Sequence, residues 1–168
     1  MAASGQVIVK FDLHQTNVLD LATATVPVAL TQTFTLTDGA GANQINQIFS
    51  DTRTLTASAT ETLDLAGVLT NAFGATVSFA RVKGIYVKAA AGNTNNVLLG
   101  GNGVNDFVNW VGNASDILVI RPGGALLLMA PDATGYVVTA TTGDLLKVAN
   151  SSGGTEVSYD VIIIGSTS

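Results

Sequence analysis

The feature of the sequence that most constrains its fold is a succession of short runs rich in Val, Ile, Thr, Phe and Tyr, separated by turn-forming residues. Apolar residues with the spacing of an amphipathic helix are almost absent. Segments such as Arg121-Pro122-Gly123-Gly124 and Ser151-Ser152-Gly153-Gly154 supply residues that preset a turn or accept a positive φ. Many short strands joined by tight turns are typical of a sandwich or a barrel, so the pattern predicts an all-β protein.

The runs predict strands at residues 7–11, 25–30, 33–37, 52–57, 61–65, 75–79, 82–89, 96–99, 107–111, 117–120, 125–129, 136–140, 145–149 and 157–164. One segment has helical signals, because Asp64 could cap a helix that Gly74 would end. Gly67 inside that segment limits the predicted helix to one or two turns. The block Arg121–Gly124 lies between two apolar runs and predicts a hairpin.

The length of 168 residues is typical of one domain, but the core pattern is weaker at the start of the chain. Before residue 45, apolar residues such as Val26, Val28 and Leu30 alternate only with small or polar residues. We therefore predict that residues 1–45 form an N-terminal arm or a pair of extended strands. Residues 46–168 are predicted to form the compact β domain.

The charge content of the chain is unusually low. Charged residues are 11% of the sequence, against about 25% in an average soluble domain, while hydrophobic residues are 47%. Charge is normally depleted at the centre of protein–protein interfaces. We therefore expect an obligate oligomer or a part of a larger assembly.

Several binding classes are disfavoured by composition. The chain has no Cys, which excludes disulfides, thiolate metal sites and cysteine nucleophiles. A net charge of −5, with the basic residues scattered, argues against a nucleic-acid partner. The apolar runs are far shorter than the ~20 residues of a membrane-spanning helix, and no secretory signal is visible. We expect no nucleic-acid partner and no membrane partner.

Catalytic signals are also weak. His14 is the single histidine, and there is no G-x-S-x-G motif for a serine nucleophile. A glycosidase needs two carboxylates, but most candidates stand beside Gly or Asn, where Asp commonly stabilises turns. These candidates are Asp106, Asp116, Asp132, Asp144, Glu156 and Asp160. We predict no enzymatic activity, no catalytic residue and no cofactor, since no phosphate-cradling motif occurs either.

Two further groups of residues are candidates for contacts. The segment Gly100-Gly101-Asn102-Gly103-Val104-Asn105-Asp106 is close to a calcium-binding nonapeptide, but Asn105 stands at the ligand position and no second copy follows. We interpret it as a glycine-rich loop in which Asn102 and Asn105 face a neighbour, and a lone calcium ion is left open. The aromatic residues Phe107, Trp110 and Tyr136 are predicted to be core or subunit contacts, with a sugar-stacking platform as the second hypothesis.

Longer stretches of the chain carry a resemblance. They are Ile48–Leu55, Leu63–Gly74, Phe79–Lys88, Val119–Leu128, Ala130–Tyr136, Asp144–Asn150 and Tyr159–Gly165. This succession resembles small virion proteins of tailed bacteriophages over residues 46–168. The resemblance implies a jelly-roll-like antiparallel β-sandwich, here with an extended N-terminal arm, and a structural role.

The function implied by the resemblance is that of a capsid decoration (cement) protein that binds and stabilises the head shell as an oligomer, with trimers expected. Its partners would be further copies of itself and the major capsid protein or other virion proteins. It would be made in the bacterial host cytoplasm and lie on the particle surface. The alternative is a tail, fibre or carbohydrate-binding receptor module. We expect Phe11 and Leu13 in the arm to anchor it to the shell or to a neighbouring copy. The loops at residues 93–106 and 131–136 are expected to form a rim.

Overall fold

The computed structural model describes residues 2–168, and its regular structure consists of β-strands. The strands are β1 (Gly5–Val18), β2 (Thr23–Asp38), β3 (Gln44–Ile45), β4 (Gln47–Leu55), β5 (Thr60–Asp64), β6 (Arg81–Ala89), β7 (Val97–Gly100), β8 (Ile117–Ile120), β9 (Ala125–Met129), β10 (Tyr136–Val137), β11 (Leu145–Asn150) and β12 (Val157–Ser166). The prediction of an all-β protein is confirmed.

Two antiparallel sheets form the body of the protein. One sheet has the order β10-β6-β12-β4, with β9 also paired to β6, and the other has the order β5-β11-β7-β8. Alternate residues of each sheet point inward and share one core, to which β12 contributes Val161 and Ile163 and β11 contributes Leu146 and Val148. The prediction of an antiparallel β-sandwich is confirmed, whereas its jelly-roll-like arrangement stays a prediction.

The first two strands form one long hairpin. β1 and β2 pair antiparallel through fourteen residue pairs, from Gly5 opposite Leu36 to Val18 opposite Thr23. A tight turn joins them, in which the Leu19 amide donates to the Ala22 carbonyl at 2.8 Å. The predicted strands 25–30 and 33–37 are thus parts of a single strand. The pair of extended strands expected in residues 1–45 is this hairpin, while the domain boundary at residue 45 stays a prediction.

Only the base of the hairpin is buried against the sandwich. Leu36 of β2, Ile45 of β3 and Ile164 of β12 form a small second core, with Val7 and Met129 packed beside it. β3 continues this anchor by pairing in parallel with the last residues of β2. Beyond the base, nearly all residues of β1 and β2 are exposed. The hairpin therefore projects from the sandwich.

Some predicted elements are absent although their apolar residues are buried. Residues 75–79 make one isolated bridge, at Thr76, and residues 107–111 form a turn, yet Val77, Phe79 and Phe107 lie in the core. Residues 65–73 contain no helix and consist mostly of turns. Within residues 2–168 there is no helix of the length and apolarity needed to cross a membrane.

The segment Arg121–Gly124 reverses the chain without making a hairpin. The Gly124 amide donates to the Arg121 carbonyl at 2.7 Å, as in a tight turn. However, β8 pairs with β7 in one sheet and β9 pairs with β6 in the other. The prediction of a hairpin is wrong, because both flanking strands find their partners in different layers of the sandwich.

The pairing of β12 with β6 shifts register between Ile164 and Gly165, as in a β-bulge, and this site generates the first testable prediction. A Cβ on Gly165 would lie 2.1 Å from the Arg81 carbonyl oxygen and 2.8 Å from Cδ1 of Phe79. The backbone of Arg81 cannot move away without strain. We therefore expect Gly165→Ala to lower the free energy of unfolding by about 1–3 kcal/mol. The measurement is urea unfolding followed by the fluorescence of Trp110.

Gly92→Ala is the matched control for this substitution. Gly92 is exposed, and a Cβ there would have no other atom within 4 Å. We expect its unfolding midpoint to stay close to that of the wild type. Equal midpoints for Gly165→Ala and the wild type would contradict the prediction.

Candidate assembly surface

The hairpin has two chemically different faces. Successive side chains of a strand point to opposite faces, and directly paired residues share a face. The register therefore places Phe11 beside Leu30 and Leu13 beside Val28. We call this side the apolar ribbon face, and it consists of Val7, Val9, Phe11, Leu13, Gln15, Asn17, Ala24, Val26, Val28, Leu30, Gln32 and Phe34.

The opposite side, the polar ribbon face, carries mostly threonine and the charged residues of the paired strands. Its members are Gln6, Ile8, Lys10, Asp12, His14, Thr16, Val18, Thr23, Thr25, Pro27, Ala29, Thr31, Thr33 and Thr35. Lys10 and Asp12 form an exposed ion pair at 3.4 Å on this face. Val and Thr favour extended backbone, which explains why both strands form despite their exposure. Within the fourteen residue pairs of the hairpin, both charged residues thus lie on the polar ribbon face.

The apolar ribbon face is largely open to solvent. The exposed fraction is 47% for Phe11, 57% for Leu13, 61% for Val26, 54% for Val28 and 56% for Leu30. Full burial of such a side chain stabilises by about 1.5–3 kcal/mol, so covering the open half of each would contribute about 1 kcal/mol. An isolated two-stranded hairpin is marginally stable in water. Phe11 and Leu13, the contact residues that the sequence predicts, therefore lie at the centre of an exposed apolar surface.

The tip of the hairpin is also apolar, although turns are usually polar. Val18 is 79% exposed, Leu19 is 52% exposed and Leu21 is fully exposed. Asp20 is the only charged residue of the turn. The tip therefore offers a second apolar contact, at the point of the molecule that reaches farthest from the base.

At its base the apolar ribbon face is continuous with the outer side of the five-stranded sheet. Val7 lines a shallow groove together with Tyr86, Leu127, Met129 and Ile162. Ile162 is 41% exposed, and Ile48 on the neighbouring strand is 38% exposed. The apolar surface thus extends from the hairpin onto the sandwich.

Asn102 and Asn105 shape the loop between β7 and β8. The Asn102 amide donates to Oδ2 of Asp106 at 3.0 Å, and the Asn105 carbonyl accepts from the amides of Asp144 and Leu145. Asn105 has a φ of 50°, in the left-handed region that Asn tolerates. Asn105 is exposed, whereas Asn102 is partly buried.

Among the described residues, no cluster of potential metal ligands supports the calcium hypothesis for this loop. The part of the chain that the structure describes has no group of three or more His, Cys, Asp or Glu side chains that could hold a metal ion. Lys147 instead donates from Nζ to the Gly101 carbonyl at 3.2 Å. A cationic ammonium group thus lies against this loop.

The three predicted aromatic contacts do not form one exposed platform. Phe107 is 1% exposed and belongs to the core, because its amide bonds to the Leu145 carbonyl and draws the segment inward. Trp110 is partly buried against the same core and donates from Nε1 to the Phe107 carbonyl at 2.7 Å. Tyr136 is likewise partly buried against the core. The ring of Phe107 is therefore not available for a subunit or sugar contact.

Four of the six carboxylates considered for catalysis, Asp106, Asp116, Asp132 and Asp144, accept hydrogen bonds from backbone amides of turns and loops. Oδ1 of Asp132 accepts from the amides of Thr134 and Gly135, and these bonds hold the pKa of Asp132 below its usual value. Asp116 accepts from the Gly112 amide, and Asp144 accepts from the Thr141 amide. This is the role that their sequence neighbours predict. His14 lies on the polar ribbon face opposite Pro27.

Sequence analysis missed a polar network that joins the two sheets. Arg53 of β4 donates from Nε to Oε2 of Glu61 at 2.6 Å, and Glu61 lies on β5 of the other sheet. Tyr159 donates its hydroxyl to Oε1 of Glu61 at 2.7 Å. Glu61 and Tyr159 are 98 residues apart in the chain, so no local pattern could have indicated their contact.

This network generates a prediction about alkaline unfolding. Burial, then the bond to Glu61, raises the pKa of Tyr159 far above its ordinary value near 10. Above pH 10 the unfolded chain therefore loses a phenol proton that the folded protein retains. The free energy of unfolding should fall, by up to about 1.4 kcal/mol per pH unit from this group.

Tyr159→Phe removes this contribution, so its free energy of unfolding should fall less steeply above pH 10. Tyr86→Phe, on the outer side of the sheet, is the matched control that also removes one phenol and should keep the wild-type slope. Urea titrations between pH 8 and about pH 11 measure both. Identical slopes for Tyr159→Phe and the wild type would refute the role given to this network.

Comparisons with protein-family models, with curated proteins and with solved structures found no match for this chain.

Proposed function

We propose that this protein is a structural component of a bacteriophage virion, a capsid decoration (cement) protein that binds the head shell as an oligomer. The observation that carries the proposal is the projecting hairpin, whose apolar face and apolar tip are exposed. The resemblance of residues 46–168 to small virion proteins supplies the phage context, and the jelly-roll-like arrangement belongs to the same proposal.

The sandwich has a hydrophobic core, whereas only the base of the hairpin is buried, and this difference supports an assembly role. The sandwich has its own core of fully buried side chains from both sheets. The hairpin keeps most of its apolar side chains in solvent, which is a cost that association with a partner removes. A decoration protein works by burying area on its particle, and several linked copies multiply weak contacts through avidity.

The proposed role is structural and not enzymatic. The carboxylates Asp116, Asp132 and Asp144 are engaged by backbone amides, and the single histidine lies on the hairpin far from them in sequence. This arrangement favours a protein whose polar side chains maintain loops. In the proposed function the hairpin reaches the shell with its tip, through Leu19 and Leu21.

The test is binding to heads of the encoding phage that lack this protein, measured by co-sedimentation. We expect the wild type to bind and the double variant Leu19→Ser, Leu21→Ser to bind at least about tenfold more weakly, a loss of about 1.4 kcal/mol. Gly92→Ala is the matched surface control and should bind as the wild type does. Failure of the wild type to bind, or its absence from purified virions, would overturn the proposal.

A second experiment separates the head from the tail. Gold-labelled antibody against the protein should decorate the heads of intact particles in electron micrographs. Labels confined to the tail or its fibres would replace the decoration role with the alternative role of a tail component.

A further inference from the structure

We propose that Asn102 is a site of spontaneous covalent modification, at which the side-chain amide is lost through attack by the backbone nitrogen of Gly103. Both residues lie in the loop between β7 and β8. The inference goes beyond the proposed function and does not rest on it, because the reaction involves only this loop and water.

The reaction proceeds through a five-membered ring. The nitrogen of Gly103 gives up its proton and attacks Cγ of Asn102. An N–Cγ bond forms, the Cγ–Nδ2 bond breaks, and the departing nitrogen takes up the proton and leaves as ammonia. Water then opens the resulting succinimide at one of its two carbonyl carbons, which yields aspartate or isoaspartate. The net change is the gain of one water and the loss of one ammonia.

A hydrogen bond directs the side chain of Asn102 toward the residues that follow it. Nδ2 of Asn102 donates to the Val104 carbonyl at 2.6 Å, so the side chain folds forward along the chain. The nitrogen of Gly103 lies between these two bonded groups in the chain. Holding two reacting groups together in this way lowers the entropic part of the barrier to ring closure.

The attacking nitrogen is accessible and unengaged. Within residues 2–168 the Gly103 amide donates no hydrogen bond to another protein group. Gly103 is exposed, so solvent can take its proton. It has a φ of 79°, and a Cβ built there would have no other atom within 4 Å. No side chain of its own or of a neighbour therefore crowds this nitrogen.

The preceding part of the loop is fixed, which maintains the arrangement. The Asn102 amide donates to Oδ2 of Asp106 at 3.0 Å, and Asp106 is only 7% exposed. Nζ of Lys147 donates to the Gly101 carbonyl at 3.2 Å. Asn102 is thus held on its N-terminal side, while the peptide that attacks it is open to solvent.

The chain contains suitable internal controls. Asn102 is the only asparagine that is followed by glycine. Asn105 and Asn113 are exposed and lie in the same loop, but Asp106 and Ala114 follow them. A side chain on the following residue hinders the approach of its nitrogen, so we expect both asparagines to react more slowly.

The product cannot keep the hydrogen bonds of the loop. A carboxylate does not donate, so the bond to the Val104 carbonyl is lost and two acceptors face each other. The new negative charge also lies on the residue whose amide bonds to the carboxylate of Asp106. Isoaspartate further adds one carbon to the main chain. The modification therefore loosens the loop between β7 and β8.

The first experiment is incubation of the wild type in heavy-oxygen water at mildly alkaline pH, followed by proteolysis and tandem mass spectrometry. We expect residue 102 to become aspartate and isoaspartate with one heavy oxygen atom, at a rate that rises with pH because the nitrogen must lose a proton. Conversion of Asn105 and Asn113 in the same sample should be at least about tenfold slower. No conversion at Asn102, or equal conversion at all three, would overturn the inference.

A synthetic peptide of residues 97–110 measures the reaction without the fold. We expect the folded protein to react at least as fast as this peptide, because the loop keeps the side chain of Asn102 beside the next peptide. A folded protein that reacts more slowly than the peptide would contradict the proposal, since the fold would then hold the two groups apart.

The second experiment compares Asn102→Asp with Asn113→Asp by urea unfolding. Both variants add one negative charge, but Oδ1 of Asn113 accepts from the Ser115 amide at 3.2 Å, and an aspartate retains that acceptor. We expect Asn102→Asp to raise the unfolding equilibrium constant at least about fivefold, and Asn113→Asp to stay close to the wild type. Equal stabilities of the two variants would overturn the loosening of the loop. Neither experiment uses phage heads, so failure of head binding leaves this inference intact.

Discussion

A two-stranded ribbon has no second layer of its own, and the architecture of this protein depends on how that constraint is met. The sandwich buries the inner faces of two sheets against each other, whereas the hairpin of β1 and β2 can bury only its base. The remaining apolar residues of the hairpin stay about half exposed. Apolar burial is the main favourable term in folding and association, so the exposed face is the part of the molecule on which the proposed assembly role depends.

The sandwich supplies the rigid support that a projecting hairpin needs. Its two sheets are joined by the core and also by the network of Arg53, Glu61 and Tyr159 at one edge. The hairpin is attached through Leu36, Ile45 and Ile164, so its base is held on the end of the central strand β12. The attachment of the hairpin base to the sandwich therefore sets the position and direction of the strand pair that a partner would bind.

Much of this architecture could be predicted from the amino-acid sequence, and each wrong prediction has a physical cause. The strands at Val97–Gly100, Ile117–Ile120 and Val157–Ser166 follow closely from short apolar runs between turns, which are rich in β-branched residues in the last two. The strand predicted at residues 107–111 is absent because Phe107 is buried next to the isolated bridge between Asp106 and Leu145, and burial gives the same apolar signal as a strand. The core position of Phe107 is one of the two places that the sequence predicts for it.

The sequence by itself determined that the chain is all-β, that it carries few charged groups, and that aspartates beside Gly or Asn, such as Asp106 and Asp144, stabilise turns and loops. These properties are local, since they depend on alternation, on side-chain type and on the neighbours of each residue. Only the tertiary structure decided which residues remain uncovered. Pairing of β1 with β2 placed Phe11, Leu13, Val28 and Leu30 on one side and Lys10 and Asp12 on the other, because the register of two strands brings together residues that are distant in the chain.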